Sequence, residues 1–255
     1  MRALAAFATA MLLAGLDVAP SAAWAADAAS AFLAGTSKDC PGCDLTRANL
    51  SYRDLSGANL QGADLTKARL HRTVLTRANL SNATLTSANL NLADLRSANL
   101  TGADMSRALL YEANLSAATL PGAKLDGARV QHARFPRAVM TGSSWTGADA
   151  TGVELPGAVL QGADLTDLYA PNADFRDVGL QGALLTGGLF FEANFSGADF
   201  SRASVRDADF RQARLERANF TQADLGGSHF EQAWTKGADF TRAVIGDAIG
   251  LSIPH

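Results

Sequence analysis

The sequence is poor in the side chains that most enzyme chemistry requires. Its 255 residues include only two cysteines and four histidines, 7% are aromatic, and the formal net charge is −3. The pattern of a Ser-His-Asp or Cys-His pair is absent, and so are a two-histidine metal site and a phosphate-binding glycine loop. The sequence therefore predicts a protein that is not an enzyme and that needs no cofactor or metal.

Long apolar runs are also absent, apart from one near the N-terminus. The run from Ala3 to Leu16 follows a positively charged start, and at about 14 residues it is too short to span a bilayer. A small-residue motif, Ala23-Trp24-Ala25, comes after it. These are the parts of a secretory signal peptide, so we expect cleavage after Ala25 and a periplasmic or secreted protein without a membrane span. An alanine-rich N-terminal helix is the alternative.

What the chain has in abundance is a period of five residues from Cys43 to Ile245. Of the 41 positions numbered in fives from 45 to 245, all but Ala150, Ala170 and Thr235 carry a large apolar side chain. Two residues before each multiple of five, from 48 to 248, 33 of 41 residues are alanine. This spacing fits neither a helix, with about 3.6 residues per turn, nor a strand, with a period of 2. A short internal period is typical of a solenoid.

The repeating unit resembles the pentapeptide-repeat family, whose A-(D/N)-L-x-x pattern is seen in units such as Ala-Asp-Leu-Thr-Lys at residues 63–67. The resemblance covers about four fifths of the chain. It implies an all-β fold, a right-handed quadrilateral parallel β-helix with four pentads to a coil. Residues twenty apart would then stack at about 4.8 Å, the spacing of paired strands, over about ten coils. The expected segments are a signal peptide at 1–25, a helical cap at 26–39, the β-helix at 40–247 and a C-terminal tail or cap at 248–255.

Both ends of a solenoid expose apolar core and need to be covered. Residues 27–34 predict a short helix that ends at Gly35, with Phe32 and Leu33 placed over the first coil. At the other end we expect the apolar tail at 248–255 to fold over the last coil. Contact between two such tails in a homodimer is the alternative, since dimeric members of the family meet through their C-terminal ends.

Cys40 and Cys43 stand where the repeats begin, with two residues between them in a Cys-Pro-Gly-Cys motif. In an oxidising compartment we expect them to form a disulfide that fixes the first turn. Buried free thiols, or a redox or metal-binding pair, are the alternatives.

Charge is unevenly distributed along the repeats. Residues 26–140 carry 13 basic and 9 acidic side chains, net +4, whereas residues 141–200 carry 1 basic and 8 acidic side chains, net −7. This acidic stretch indicates either a surface that attracts a basic partner or a cation, or simply a solvated face. Six of its members form the candidate acidic belt: Asp149, Glu154, Asp164, Asp167, Asp174 and Asp177.

One side of the coil departs from the repeat. Its inward positions shrink to alanine at residues 150 and 170, next to Trp145, whose bulk we expect to fill that space. Apolar and aromatic residues gathered on an otherwise polar outer surface indicate a contact site for a protein partner. The alternative is that they fold over an altered core. The candidate partner-binding patch consists of Leu109, Tyr111, Tyr169, Pro171, Leu189 and Phe191.

These features predict a non-enzymatic, exported β-solenoid that serves as a rigid scaffold for an unknown protein partner. The resemblance also brings an alternative, because some family members mimic duplex DNA and bind topoisomerases. That role requires a long continuous acidic surface and a cytoplasmic target, which the net charge of −3 and the signal peptide disfavour. We expect no nucleic-acid ligand. A second alternative is an extracytoplasmic binder of metal or glycan through the acidic belt.

Overall fold

The computed structural model describes residues 22–251 as one helix followed by a four-sided coil. The helix, α1, spans Ala22–Leu33. Parallel bridges then join residues twenty positions apart, from Asp44↔Asp64 to His229↔Ile249. Among residues 22–251, no helix is both long and apolar enough to cross a membrane. The coil thus reaches two residues beyond the predicted limit at 247, and the predicted signal peptide lies largely outside the described residues.

Each pentad forms one side of a coil and one corner. The Leu45 N–H donates to the Asp64 carbonyl in the next coil at 2.8 Å, and the Asp64 N–H donates back to the Cys43 carbonyl at 2.9 Å. At the corner, the Ala48 N–H donates to the Leu45 carbonyl at 3.0 Å, and Arg47 has a φ of 59°. A positive φ at the third residue is typical of a type II turn. Four such turns complete a coil, and the peptide groups between them are satisfied by neighbouring coils.

The interior is a continuous apolar column built from the central residue and the alanine of each pentad. Its C-terminal half is rich in phenylalanine. Rings in successive coils stack in parallel, with centroids 4.4 Å apart for Phe175 and Phe195 and 4.5 Å apart for Phe200 and Phe220. Such contacts add to the burial energy of large aromatic side chains.

The prediction for the narrowed core is only partly right. Trp145 does line the space beside Ala150, and its indole N–H donates to the Ser143 hydroxyl at 2.9 Å. Leu168, which stands at a position usually held by alanine, lines the same space. The remaining gap is too small to hold a water molecule. A large residue at an alanine position therefore compensates for the small central residues, Ala170 in its own pentad and Ala150 in the preceding coil.

The N-terminal end is covered by α1, which begins five residues before the predicted start. Gly35 ends the helix with a φ of 79°, and the Thr36 N–H donates to the Ala31 carbonyl at 3.0 Å, as in a Schellman motif. Phe32 is fully buried, as predicted. The same expectation for Leu33 is wrong, because that side chain is 50% exposed. The helix turns only one of two adjacent apolar residues towards the coil.

Arg53 ties the helix to the first coil from a position usually held by alanine. Its Nη2 donates to the Phe32 carbonyl at 2.7 Å, and its guanidinium carbon lies 5.0 Å from the centre of the Phe32 ring. A cation that binds the last carbonyls of a helix stabilises that end. The departure of Arg53 from the repeat therefore has a structural cause.

The C-terminal end has no comparable cover among the described residues. Phe240 and Ile245 occupy inward positions of the last coil but are only partly buried, and Ile249 is exposed. Ile249 still bridges to His229 as in the coil, and Leu251 beyond it is partly buried and packs against the core, so the described part of the predicted tail covers the last coil only in part. Residues 252–255, the rest of that tail, lie outside the described residues.

Candidate functional site

The candidate patch lies on the side of the coil whose inward residues include Ala150, Ala170 and Phe190. We call it the variable side. Its outward surface is formed in each coil by the residue before the central position, such as Leu109. Two corners bound it, one at residue 107 and one at residue 112, and each recurs every twenty residues. Because the backbone is held by bridges in every coil, side chains on this surface are fixed in register twenty residues apart.

Five of the six patch residues reach the surface. Tyr111, Tyr169 and Leu189 are 43%, 41% and 40% exposed, and Leu109 and Phe191 are partly exposed. Pro171 is buried, contrary to the prediction that it contributes to the outer surface.

The exposed apolar residues form two clusters instead of one patch. Tyr169 bridges to Leu189, and its ring centroid lies 6.3 Å from that of Phe191, so these three residues form a ridge. Leu109 and Tyr111 lie on the N-terminal half of the same side. Two coils separate the clusters. Their outward residues are Arg129 and Asp149.

A shallow groove accompanies the N-terminal cluster. It is open to solvent, and both apolar and polar side chains form its walls. The residues that line it are Asn91, Leu109, Tyr111, Arg129, Gln131 and His132. The ring of Tyr111 meets that of His132 edge to face, with centroids 5.9 Å apart. A second groove, lined by Phe191, Arg211, Gln212, Glu231 and Gln232, borders the ridge, so each half of the variable side has a groove beside its apolar cluster.

The six residues of the candidate acidic belt do not form one surface. Asp149 lies on the variable side, Asp164 on the side before it, and Glu154 and Asp174 on the side after it. Asp167 and Asp177 stand at two different corners.

Several of these carboxylates already have partners within the chain. Asp174 pairs with Arg176 at 2.6 Å, and Glu154 pairs with Arg134 at 3.0 Å. Among the residues that the structure describes, no three His, Cys, Asp or Glu side chains are grouped so that they could hold a metal ion.

The structure joins Cys40 and Cys43 by a disulfide, as expected. Both cysteines are fully buried in the first coil. The bond therefore belongs to the covered N-terminal end and offers no accessible redox site.

Sequence reasoning missed several exposed apolar side chains outside the patch: Val139, Val159, Leu184 and Trp234. All four occupy the outward position before a central residue, where the repeat usually has Asn or Asp. An apolar residue at that position is the signal that could have identified them.

A family model for pentapeptide repeats matches the chain in eight copies spread over residues 43–167 and 193–232, more than half of its length. No curated protein matches the chain.

Among solved structures, HetL from the cyanobacterium Nostoc sp. strain PCC 7120 is a pentapeptide repeat protein involved in the regulation of heterocyst differentiation. It is 29% identical, with a TM-score of 0.56, over 88% of this chain and 97% of HetL. A pentapeptide repeat protein from the thylakoid lumen of Arabidopsis thaliana is 34% identical over 35% of this chain and 63% of its own, with a TM-score of 0.35. QnrB1, a plasmid-mediated fluoroquinolone resistance protein, is 18% identical over 75% and 88%, with a TM-score of 0.45. The family match and HetL confirm the predicted right-handed quadrilateral β-helix.

Proposed function

Because this chain belongs to the pentapeptide-repeat family, we propose that it is an exported β-solenoid that binds a protein partner through its variable side. The family consists of structural scaffold proteins that are generally not enzymes, and this chain is of that class. The observation that carries the proposal is the ridge of Tyr169, Leu189 and Phe191 on an otherwise polar surface. Exposed aromatic side chains on a rigid backbone are typical anchors of protein interfaces.

Two features support export. Residues 1–25 have the composition of a signal peptide. The buried disulfide between Cys40 and Cys43 is a bond that persists in oxidising compartments. Export is tested by fractionating cells that express the full chain and sequencing the N-terminus of the exported protein. We expect it to begin at Ala26, and a cytoplasmic, uncleaved chain would contradict this part of the proposal.

The charge pattern does not favour DNA mimicry. The outward position richest in aspartate, which begins with Asp44 and Asp64, is interrupted by Lys124 and Leu184. Among the described residues, no side carries an unbroken acidic surface. The distribution of the acidic belt over several sides likewise gives no support to a metal or glycan site. Contact between two C-terminal tails at 248–255 stays a prediction.

The ridge is tested with a photo-crosslinking amino acid in place of Tyr169 in the full chain expressed in cells. A matched control places it at Val159, which is about equally exposed but lies on the opposite side of the coil. We expect a specific crosslinked protein at residue 169 that is absent at residue 159 and is lost in a Leu189→Ser/Phe191→Ser background. Equal crosslinking at both positions would contradict the proposed binding side.

A further inference from the structure

The outward residues of the variable side have opposite charges in their two halves. From the N-terminal end to the C-terminal end, one residue per coil, they read Asn49, Arg69, Asn89, Leu109, Arg129, Asp149, Tyr169, Leu189, Asp209 and His229. Arginines occur only in the first five coils and aspartates only in the last five, although Asp209 is nearly buried and already pairs with Arg211. When the order of the second half is reversed and set against the first half, Asp149 stands opposite Arg129 and Asp209 opposite Arg69. Tyr169 then stands opposite Leu109.

Of the two corners that bound this side, the one at residue 107 and its equivalents shows the same polarity, whereas the other, with Glu112 in its N-terminal half, does not. The residues at the corner of residue 107, again one per coil, are Arg47, Lys67, Ser87, Arg107, Gly127, Gly147, Asp167, Gly187, Asp207 and Gly227. The first half is basic, the second half is acidic, and the positions between the charges are glycine or serine. At Gly187 and Gly227 the space that a Cβ would need is occupied by the carboxylates of Asp167 and Asp207, so the glycines let these side chains lie along the corner.

Most of these charges are unpaired within the described chain. Arg107 and Arg129 form no ion pair with any described residue, although Arg129 stacks directly against Asp149 in the next coil. Asp149 instead accepts hydrogen bonds from the Gln131 side chain at 2.7 Å and the Thr151 hydroxyl at 2.8 Å. These basic side chains are therefore available to an external carboxylate.

We propose that the variable side binds a second copy of this chain, packed antiparallel with the two variable sides face to face. The two-fold axis crosses the side between the coils of residues 129 and 149. This inference rests on the proposed function and names its partner. Around the axis, Arg129 of each copy faces Asp149 of the other. Further out, the corner residue Arg107 faces Asp167, and Lys67 faces Asp207.

Only one register satisfies these pairs. A shift of one coil in one direction places Arg129 opposite Arg129, and a shift in the other direction places Asp149 opposite Asp149. A parallel arrangement brings the basic half of one copy to the basic half of the other. Like charges in direct opposition weaken association, so the pattern itself selects the antiparallel register. Arg211 of one copy would face His71 of the other, which would bring two basic residues together. Arg211 is already paired with Asp209 of its own chain at 2.6 Å.

The apolar features fit the same register. The groove lined by Leu109 and Tyr111 lies at the height of the other copy's ridge, because Leu109 is opposite Tyr169 and Asn91 is opposite Phe191. Each half-exposed cluster thus covers the other. In this register the pairs of Arg129 and Asp149 lie at the centre of the interface, the apolar clusters flank them, and the pairs of Arg107 and Asp167 lie along one edge.

The surface is large enough for a stable dimer. The side is about 50 Å long over ten coils and about 13 Å wide across four extended residues. Each copy therefore presents on the order of 650 Å² before projecting side chains are counted, close to the roughly 800 Å² per partner of a standard interface.

The test uses sedimentation equilibrium on protein purified from cells that express the full chain. Arg107→Asp places a carboxylate opposite Asp167 twice in each dimer, and Asp167→Arg places two cations opposite Arg107. We expect each variant to raise the dimer Kd at least about tenfold. Residues 107 and 167 lie three coils apart in one chain, so neither change alters a contact of the other within that chain.

Mixing the two variants is the decisive experiment, because it tests whether the two residues face each other. In the mixed dimer each reversed charge meets an opposite charge, so we expect equimolar Arg107→Asp and Asp167→Arg to associate within about threefold of the natural protein. The matched controls are Arg137→Asp and Asp177→Arg at the diagonally opposite corner, and these should leave the Kd unchanged.

Three results would overturn the inference: a natural protein that is monomeric at the highest concentrations, a dimer insensitive to both variants, or variants that do not recover on mixing. Crosslinking of residue 169 to a different protein alongside any of these would leave the proposed binding side intact and remove only the second copy as its occupant.

Discussion

At its N-terminal end the coil is covered by α1, whose Phe32 is fully buried, whereas at the C-terminal end Phe240 and Ile245 remain partly exposed. The covered end also has the disulfide and the hydrogen bond from Arg53 to the Phe32 carbonyl at 2.7 Å. Both ends expose the same kind of apolar cross-section, so the repeat itself does not determine which end is stable. The difference shows that the residues that depart from the repeat set the order in which the coils open.

The largest effect is expected from truncating one phenylalanine at each end. Phe32→Ala should lower the free energy of unfolding by about 3 kcal/mol, because it removes a fully buried side chain and leaves a cavity beneath α1. Phe240→Ala should cost only about 1 kcal/mol, since that side chain is already partly in water. Urea unfolding of both variants measures the difference, and equal losses would remove the distinction between the ends.

Removing the disulfide is expected to have the second-largest effect on stability. Replacing it by the repeat's own residues, Cys40→Leu/Cys43→Ala, keeps the inward side chains apolar and removes the covalent link. The chain-entropy model gives a loss of about 2 kcal/mol for such a short loop. Reducing the natural protein should lower its free energy of unfolding by the same amount, which is read from the shift in its urea midpoint. A double variant as stable as the natural protein would show that α1 alone secures this end.

The contact between Arg53 and the end of α1 should contribute somewhat less to the free energy of unfolding than the disulfide does. Arg53→Ala restores the alanine of the repeat but removes the cation from the end of α1, and we expect a loss of about 1–2 kcal/mol. Arg47→Ala, at an exposed corner, is the matched control and should change stability by less than about 0.5 kcal/mol. If the two variants behave alike, the contact with Phe32 is not stabilising.

Lowering the pH is expected to have the smallest effect on the stability of the fold. Partial burial opposes ionisation of Asp209, but hydrogen bonds from Arg211 still hold the pKa of Asp209 below its ordinary value. The Thr241 hydroxyl and backbone N–H likewise lower the pKa of Asp239 in the last coil. A lowered folded-state pKa stabilises the fold above the unfolded value of about 4, and this contribution is lost as the pH falls through the folded value.

Acid should therefore open the C-terminal coils first, because the N-terminal coils keep their disulfide and helix. Pepsin digestion at pH 2 and pH 4, followed by mass spectrometry, measures this order. We expect cleavage within residues 230–251 to accelerate at pH 2 relative to cleavage within residues 40–60. Acceleration at the N-terminal end instead would contradict the assignment of the open end.

Most of the architecture could be predicted from the sequence, because a five-residue period fixes the coil and the twenty-residue stacking. The hydrogen bond from the Asn79 amide to the Asn59 side-chain oxygen at 3.2 Å confirms that residues twenty apart stack on one another. The errors concern single side chains. Leu33 and Phe32 are adjacent and equally apolar, so composition does not show which one faces the coil. Pro171 is buried by its neighbours, which the outward register alone does not reveal.

The candidate site was less predictable than the fold. The apolar residues Tyr169 and Leu189 were identified as departures from the repeat, and the structure exposes both. In the sequence Asp149 stands out only as part of the acidic belt and Arg129 does not stand out, because each is ordinary at its position in a polar repeat. Their meaning depends on reading one residue per coil along a single side, which requires the twenty-residue register to be known first.

The most direct test of the difference between the ends is hydrogen–deuterium exchange measured by mass spectrometry on the full chain at neutral pH. We predict that amides in residues 232–251 exchange far faster than those in residues 40–60, with protection rising from the last coil towards the interior. Equal protection of the two segments, or faster exchange beneath α1, would contradict an N-terminal end that is closed and a C-terminal end that is open.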